Sequence, residues 1–250
     1  SEQTTDSLWY VTCMDIAGNV GNSFTRTFRV DGAVPSIGGT NIIYPSGQTK
    51  VKEGQDITMQ VTASDTGSGV DTVTAGVSAL NTLIVTATLT DGDSDGVYDV
   101  TFTLSESAAD FEGDVPVLIT VTDVSGRVAT TNINAAIDNK APDNPAAISV
   151  VTTPSDLDGS VDLSWASAVA TGAVSYNVYR DTSPGFAISG GNKITTVTEP
   201  SVSYSNVPGI NGMYYWKVTA VDDIGNEDVT GIPEGSTLVD DLAPDITNPQ

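Results

Sequence analysis

The sequence has no histidine, a single cysteine and few basic residues. Its 250 residues include 9 lysines and arginines against 32 aspartates and glutamates, so the formal net charge is −23. The absence of histidine excludes a Ser-His-Asp triad and histidine-ligated zinc, and the lone Cys13 excludes an internal disulfide. The negative charge argues against nucleic acid and anionic lipid as partners. Because no apolar run reaches spanning length, we also expect no membrane insertion in this segment.

Threonine and valine are abundant, and they alternate with polar residues along much of the chain. Scarce lysine, arginine and glutamate, together with this alternation, favour strands over helices. No stretch has a convincing helical period. We therefore predict an all-β protein.

An internal repeat organises the chain. Residues 9–19, 117–127 and 216–226 each alternate apolar and polar side chains and then end in an Asp and a Gly turn. Each is followed by a second alternating run that closes on Asp, with Ala and Pro shortly after it. The repeat recurs about every 100 residues, which is the size of a seven-stranded β-sandwich. We predict tandem antiparallel β-sandwiches in a rod-like array.

The phase of the repeat divides the chain into four segments. Residues 1–32 hold the last two strands of a preceding sandwich, 33–140 and 141–242 each have room for seven strands, and 243–250 begin a following domain or linker. A two-stranded hairpin is marginal alone, so we interpret the chain as a slice of a longer array. Cys13 aligns with inward positions of the other two repeats, which predicts a buried thiol.

Several strands of segment 33–140 can be placed from their alternation. Residues 57–63, 83–89, 98–104 and 117–121 are each apolar at every second position. In the last strand the parity of the apolar positions changes between Val128 and Ile133, which predicts a β-bulge near Thr130.

Both full-length segments resemble known domain families. Segment 33–140 contains Ser-Asp-Thr-Gly-Ser-Gly-Val at 64–70 and Asp-x-x-Gly turns, through which it resembles the bacterial immunoglobulin-like repeats of large surface proteins of the adhesin type. Segment 141–242 resembles a fibronectin type III domain. The motifs that carry this second resemblance are Val-Asp-Leu-Ser-Trp at 161–165, Ser-Tyr-Asn-Val-Tyr-Arg at 175–180 and Tyr-Tyr-Trp-Lys-Val-Thr-Ala at 214–220. The resemblance implies a core built around Trp165, Tyr176, Tyr214 and Trp216.

Residues 91–99, Asp-Gly-Asp-Ser-Asp-Gly-Val-Tyr-Asp, are the strongest chemical signal. Three carboxylates at alternate positions before a glycine let a tight loop point oxygens at one Ca²⁺ ion. The spacing resembles the calcium hairpins of integrin-type propellers. With that resemblance, the expected ligands are the side chains of Asp91, Asp93, Asp95 and Asp99 and the carbonyl of Val97. The alternative is a solvated acidic turn.

More carboxylates are expected where the chain enters and leaves the middle sandwich. The entering linker and the loops after the second, fourth and sixth strands share one pole, and two carboxylates ~6 Å apart repel by roughly 3 kcal/mol at an effective dielectric of 20. A Ca²⁺ ion would turn this repulsion into a clamp. The candidates at the entry are Asp31, Asp65, Asp71 and Asp123. A weaker candidate site at the exit is formed by Asp138, Asp143, Asp222 and Asp223.

These features predict an extracellular structural or adhesive module of a cell-surface protein, stiffened by calcium. Its partners would be neighbouring domains of a longer chain, other copies of itself, or a surface protein or glycan. One alternative is a subunit of a self-assembling filament or surface layer, in which hairpin 1–32 completes a neighbour. Another is a non-catalytic accessory region of a secreted polysaccharide-degrading enzyme. Nothing indicates a substrate cleft, so we expect no enzymatic activity, and the acidity also fits a saline habitat.

Overall fold

The protein is built from strands in two compact units, Ser1–Asn139 and Lys140–Gln250. All strand pairings within its sheets are antiparallel, which confirms the predicted all-β class. The computed structural model describes residues 5–21, 24–105, 110–152 and 159–242. The predicted opening of a following domain at 243–250 lies outside these ranges.

The first unit contains a hairpin and a sandwich. Strands β1 (Thr5–Val11) and β2 (Phe24–Val30) pair with each other in a two-stranded sheet. The sandwich strands are β3 (Ser36–Ile43), β4 (Asp56–Ser64), β5 (Val70–Gly76), β6 (Thr86–Leu89), β7 (Val97–Thr103), β8 (Glu112–Asp123) and β9 (Val128–Asp138). They form one sheet of order β3-β4-β7 and a second of order β6-β5-β8-β9.

The second unit repeats this topology. Its strands are β10 (Ile148–Thr152), β11 (Val161–Trp165), β12 (Ser175–Asp181), β13 (Lys193–Thr198), β14 (Ser203–Asn206), β15 (Gly212–Val221) and β16 (Glu234–Val239). The sheet orders are β10-β11-β14 and β13-β12-β15-β16. In both sandwiches the fourth strand (β6 or β13) pairs with the third (β5 or β12). Each sandwich therefore consists of a three-stranded sheet and a four-stranded sheet.

Alternation decides which side chains each strand buries, because successive residues point to opposite faces of a sheet. On β4, Ile57, Met59 and Val61 are at most 1% exposed. They share one core cluster with Ile119 and Val121 of β8, from the opposite sheet. Burial of these apolar side chains between the two sheets is the main source of stability in this sandwich.

The core of the second sandwich is aromatic, as the resemblance to fibronectin type III predicts. Trp165, Tyr176, Tyr214 and Trp216 are all buried. The rings of Trp165 and Tyr176 meet edge to face, with their centroids 5.4 Å apart, an arrangement that suits the quadrupoles of two aromatic rings.

Helical structure is limited in the described ranges to a single 3₁₀ turn, Val169–Thr171. Within the same ranges the chain has no helix of the length and apolarity needed to cross a membrane.

The predicted bulge near Thr130 is wrong. Strands β8 and β9 pair in unbroken register from Glu112 opposite Asp138 to Thr122 opposite Val128. The apolar positions change from even to odd numbers in the sequence because Val128 lies on the outer face, where it is 49% exposed, and the later apolar residues face the core. An exposed valine on a solvent face is ordinary in a sheet.

Two sequence-based expectations about strand extent and burial are wrong. The predicted strand over 83–89 is formed only from Thr86, and Leu83 and Val85 are 87% and 71% exposed. Cys13, predicted to be buried, is exposed. The inward positions aligned with Cys13 face a second sheet in the two sandwiches, whereas β1 and β2 form a two-stranded sheet of their own.

Candidate metal centre

Three aspartates from distant parts of the sequence meet at one end of the first sandwich. Asp31 follows β2, Asp65 follows β4 and Asp123 ends β8. Each offers a carboxylate oxygen, and these oxygens all lie within 4.8 Å of one another. We call Asp31, Asp65 and Asp123 the joint cluster. Asp71, also predicted for this site, lies exposed on β5 and is not part of the cluster.

Backbone N–H groups of the loop after β4 hold two of these carboxylates in place. Oδ2 of Asp31 accepts a hydrogen bond from the N–H of Ser68 at 2.7 Å. Oδ2 of Asp65 accepts hydrogen bonds from the N–H groups of Gly67 and Gly69 at 3.0 and 2.8 Å. The loop thus presents N–H donors to the linker that enters the sandwich as well as to its own first residue.

The third carboxylate is fixed by its own turn. Oδ1 of Asp123 accepts hydrogen bonds from the hydroxyl of Ser125 at 2.7 Å and from the N–H of Arg127 at 2.9 Å. The N–H of Ser125 in turn donates to the hydroxyl of Ser68 at 3.2 Å. The turns after β4 and β8 are therefore hydrogen-bonded to each other through Ser68, which also contacts Asp31 of the linker.

Two oxygens of the joint cluster are buried without a hydrogen-bond partner among the described residues, Oδ1 of Asp65 and Oδ2 of Asp123. Asp123 as a whole is 1% exposed. A buried acceptor left unpaired costs about 1–3 kcal/mol, and more when it is charged. The carboxylates of the cluster, with oxygens within 4.8 Å of one another, also repel each other. A cation bound between these oxygens would remove both costs.

Gly67 leaves the space that Asp31 occupies. A Cβ atom at Gly67 would lie 2.1 Å from Oδ1 of Asp31, so the carboxylate packs directly on the Gly67 backbone. The sequence-based candidates do not include Gly67, Ser68 or Arg127. For Gly67 and Ser68 the local signal is the composition of their loop, in which Asp65 is followed by two glycines and a serine. Arg127 lies in the turn after β8, outside that loop.

Asp31 is held in its charged form. Hydrogen bonds from the hydroxyl and the N–H of Ser68 keep the pKa of Asp31 below its ordinary value of 3.8, and the N–H of Ala33 and the charge of Arg127 act in the same direction. Nε of Arg127 donates to the backbone carbonyl of Asp31 at 3.1 Å. At neutral pH the linker therefore contributes an ionised carboxylate to the cluster.

The chemistry of the joint cluster fits Ca²⁺. Its donors are all carboxylate oxygens, which suit hard cations and not the metals preferred by thiolate or imidazole. Its three ligands come from a linker and two turns, and Ca²⁺ accepts such irregular sets, whereas Mg²⁺ requires nearly ideal octahedral geometry. The two unpartnered oxygens of Asp65 and Asp123 provide acceptors that the protein itself leaves unused.

The loop between β6 and β7 brings three of its five predicted ligands together. Oxygens of Asp91, Asp93 and Asp95 lie within 4.8 Å of one another, and Asp93 and Asp95 are exposed. The carboxylate of Asp91 accepts hydrogen bonds from the N–H groups of Asp95 at 3.2 Å and Gly96 at 3.0 Å. Asp95 Oδ1 accepts one from the N–H of Val97 at 2.8 Å. This loop remains a predicted calcium site.

Asp99 lies apart from these three carboxylates. It is within β7, where its backbone exchanges two hydrogen bonds with Thr90. Its neighbours Tyr98 and Val100 pack against the core, so the exposed side chain of Asp99 lies on the outer face of the sheet. Asp99 is therefore not among the carboxylates that the loop brings together.

The predicted exit site draws on residues of both units and remains a prediction. In the first unit, Asp138 ends β9, is buried, and accepts a hydrogen bond from Nζ of Lys50 at 3.1 Å. In the second unit, Asp222 is buried and accepts hydrogen bonds from two backbone N–H groups of its own turn. Asp143 and Asp223 are exposed.

Comparison with known proteins finds similarity in structure. No family model matches the chain, and no curated protein matches it in sequence. A 1.5-MDa bacterial ice-binding adhesin is 17% identical over 92% of this chain and 72% of that one, with a TM-score of 0.49. A Ca²⁺-stabilised adhesin of an Antarctic bacterium, described as binding ice, is 19% identical over 92% of this chain and 55% of that one, with a TM-score of 0.48.

The fibronectin domains 1–3 of chicken CNTN1 are 11% identical over 92% of this chain and 77% of that one, with a TM-score of 0.42. These three structures contain fibronectin type III modules or bacterial adhesin domains. With TM-scores below 0.5 and identities below 20%, they carry no argument about the ligand or partner of this chain.

Proposed function

We propose that this chain is an extracellular structural module of an adhesin-type cell-surface protein. In this proposal, Ca²⁺ held by Asp31, Asp65 and Asp123 fastens the entering linker to the first sandwich. The observation that carries the proposal is the pair of buried carboxylate oxygens of Asp65 and Asp123 that lack a hydrogen-bond partner.

The position of the joint cluster explains what the ion would do. Asp31 belongs to the linker after β2, whereas Asp65 and Asp123 belong to the sandwich. Without a cation, the charges of the cluster repel one another and favour release of the linker. With Ca²⁺ bound, the same charges become ligands that hold the linker against the turns after β4 and β8. A string of domains joined in this way would be stiff where calcium is abundant.

The setting that suits such a site is outside the cell. Extracellular calcium modules often bind with dissociation constants of about 10⁻⁴–10⁻³ M, so they are filled where free calcium is high. The net charge of −23 keeps the chain soluble and repels other polyanions. The proposed partners are neighbouring domains of the same surface protein, and the proposed role is that of a spacer and scaffold.

Calcium-dependent melting of the EDTA-treated protein tests the proposal. At a calcium concentration about 100 times the dissociation constant, binding to the folded state alone stabilises it by about 2.7 kcal/mol. For a unit of this size that raises Tm by roughly 10 °C. We expect Asp123→Asn to lose most of this rise, because it removes the charge of the most buried ligand.

A matched control separates ligation from the loss of one charge. Asp114 lies exposed on the same strand, so Asp114→Asn makes the same change of charge and should keep the full calcium response. Asp93→Asn tests the 91–99 loop separately. An unchanged calcium response in Asp123→Asn would show that the joint cluster is not the site.

A further inference from the structure

Three Asp-x-x-Gly turns of the described residues share the same backbone geometry. They begin at Asp15, Asp123 and Asp222. In each copy the N–H of the glycine donates to the carbonyl of the aspartate, at 3.0, 3.0 and 3.3 Å. In each copy the N–H of the aspartate also donates to the carbonyl of the fifth residue, at 3.0, 3.0 and 3.3 Å. The three glycines have positive φ angles of 86°, 86° and 83°.

The fifth residue of the turn differs between the copies. In the first copy it is Asn19, whose Nδ2 donates to Oδ2 of Asp15 at 2.8 Å. In the third copy it is Asn226, whose Nδ2 donates to Oδ2 of Asp222 at 2.8 Å. The asparagine thus caps the second oxygen of the aspartate that begins the turn.

In the middle copy the fifth residue is Arg127. Its backbone N–H still donates to Oδ1 of Asp123, but its side chain extends to the linker, where Nε donates to the carbonyl of Asp31. Oδ2 of Asp123 is left buried without a partner among the described residues. The first oxygen of the aspartate is therefore satisfied in all three turns, and the second is uncapped only in the middle one.

We infer that Arg127 is the residue that makes the β8–β9 turn a metal-binding turn, because it replaces the asparagine that would cap Asp123. This inference rests on the proposed function of the joint cluster. A capping amide places its N–H on the second oxygen of the aspartate, where it competes with a cation for the lone pairs of that oxygen and weakens metal binding. The fifth position thus decides whether the second oxygen of the aspartate is capped within its own turn.

The charge of Arg127 opposes the effect that we assign to it. A guanidinium close to the joint cluster repels a divalent cation, so removing it without adding a cap should leave calcium affinity equal or higher. Replacing it with asparagine removes the same charge and the same hydrogen bond to Asp31, and adds the cap. Arg127→Ala and Arg127→Asn therefore differ mainly in the cap.

The test is a calcium titration of the full chain and of the two variants, in a background of Asp91→Asn and Asp93→Asn that disables the other acidic loop. Isothermal calorimetry measures the affinity, and the amide NMR signal of Gly69, whose N–H donates to Asp65, reports binding at the joint. We expect Arg127→Ala to bind at least as tightly as Arg127. We expect Arg127→Asn to bind calcium about tenfold more weakly than Arg127→Ala, because it must overcome one additional hydrogen bond to a charged group.

The possible outcomes separate this inference from the proposed function. If the Ala and Asn variants bind calcium with equal affinity and calcium shifts the Gly69 signal in both, the role of Arg127 is wrong and the joint cluster remains the calcium site. A Gly69 signal that does not respond to calcium in the Arg127 protein overturns both. Asparagine occupies this position in two turns of the same chain with the same backbone, so we expect the Asn variant to fold, and circular dichroism checks this.

Discussion

The two carboxylate oxygens of Asp123 have different roles, one in the turn and one in the proposed metal site. Its Oδ1 closes a tight turn by accepting hydrogen bonds from the hydroxyl of Ser125 and the N–H of Arg127. Its Oδ2 is buried without a hydrogen-bond partner among the described residues, in a side chain that lies close to two other aspartates. An aspartate that is structural in a hairpin thus becomes a candidate ligand through its surroundings alone.

Asp31 makes the joint sensitive to acid. Hydrogen bonds from Ser68 hold the pKa of Asp31 below its ordinary value of 3.8. The folded state therefore binds the proton more weakly than the unfolded state does. The resulting stabilisation is fully present above pH 3.8 and is lost as the pH falls through the lower folded-state pKa. We expect the free energy of unfolding in calcium-free buffer to fall with acidification in this window.

Urea titrations at several pH values measure this contribution. Asp31→Asn removes the titrating group, so below pH 3.8 its unfolding free energy should depend less on pH than that of the unsubstituted protein. Asp114→Asn, on an exposed strand position, provides the control. Parallel pH profiles for the unsubstituted chain and Asp31→Asn would show that Asp31 is not stabilised in the folded state.

At the scale of the element, β8 illustrates how far alternation predicts burial. Ile119 is fully buried in the core, while its neighbour Leu118 is 50% exposed on the outer face. We expect Ile119→Ala to destabilise the first unit by about 2–5 kcal/mol, because it leaves a cavity between the two sheets. Leu118→Ala, on the same strand, should cost less than about 1 kcal/mol. Chemical denaturation of the two variants measures both values.

Alternation also explains where strand prediction failed. The apolar positions at Leu83 and Val85 continue the pattern of β6, yet both side chains are exposed and precede the strand. In β9 the outward-facing Val128 led us to predict a bulge, although the register of β8 and β9 is unbroken. Periodicity records which residues are apolar, but the extent of each strand depends on whether a neighbouring strand is present to pair with it.

At the scale of the whole molecule, the described residues form two hydrophobic cores, one in each unit. The joint cluster lies entirely in Ser1–Asn139. In calorimetry we expect two unfolding transitions, of which calcium raises only the one that Ile119→Ala lowers. A calcium-dependent rise of the other transition would contradict this assignment and would indicate ligands among the carboxylates of the second unit.

The sequence by itself determined the class of the fold, because that follows from the two-residue period of its apolar residues. The length of the repeat indicated seven strands in each sandwich, and the resemblance to fibronectin type III implied the aromatic core of the second. It also determined that aspartates begin the turns. Only the tertiary structure decided which carboxylates meet. Asp31, Asp65 and Asp123 come together through the pairing of strands that are far apart in the chain, whereas Asp99, close in sequence to Asp95, is turned to the other face by the pleat of β7. Proximity along the chain does not predict shared ligation, because the sheets, once formed, fix the direction of every side chain.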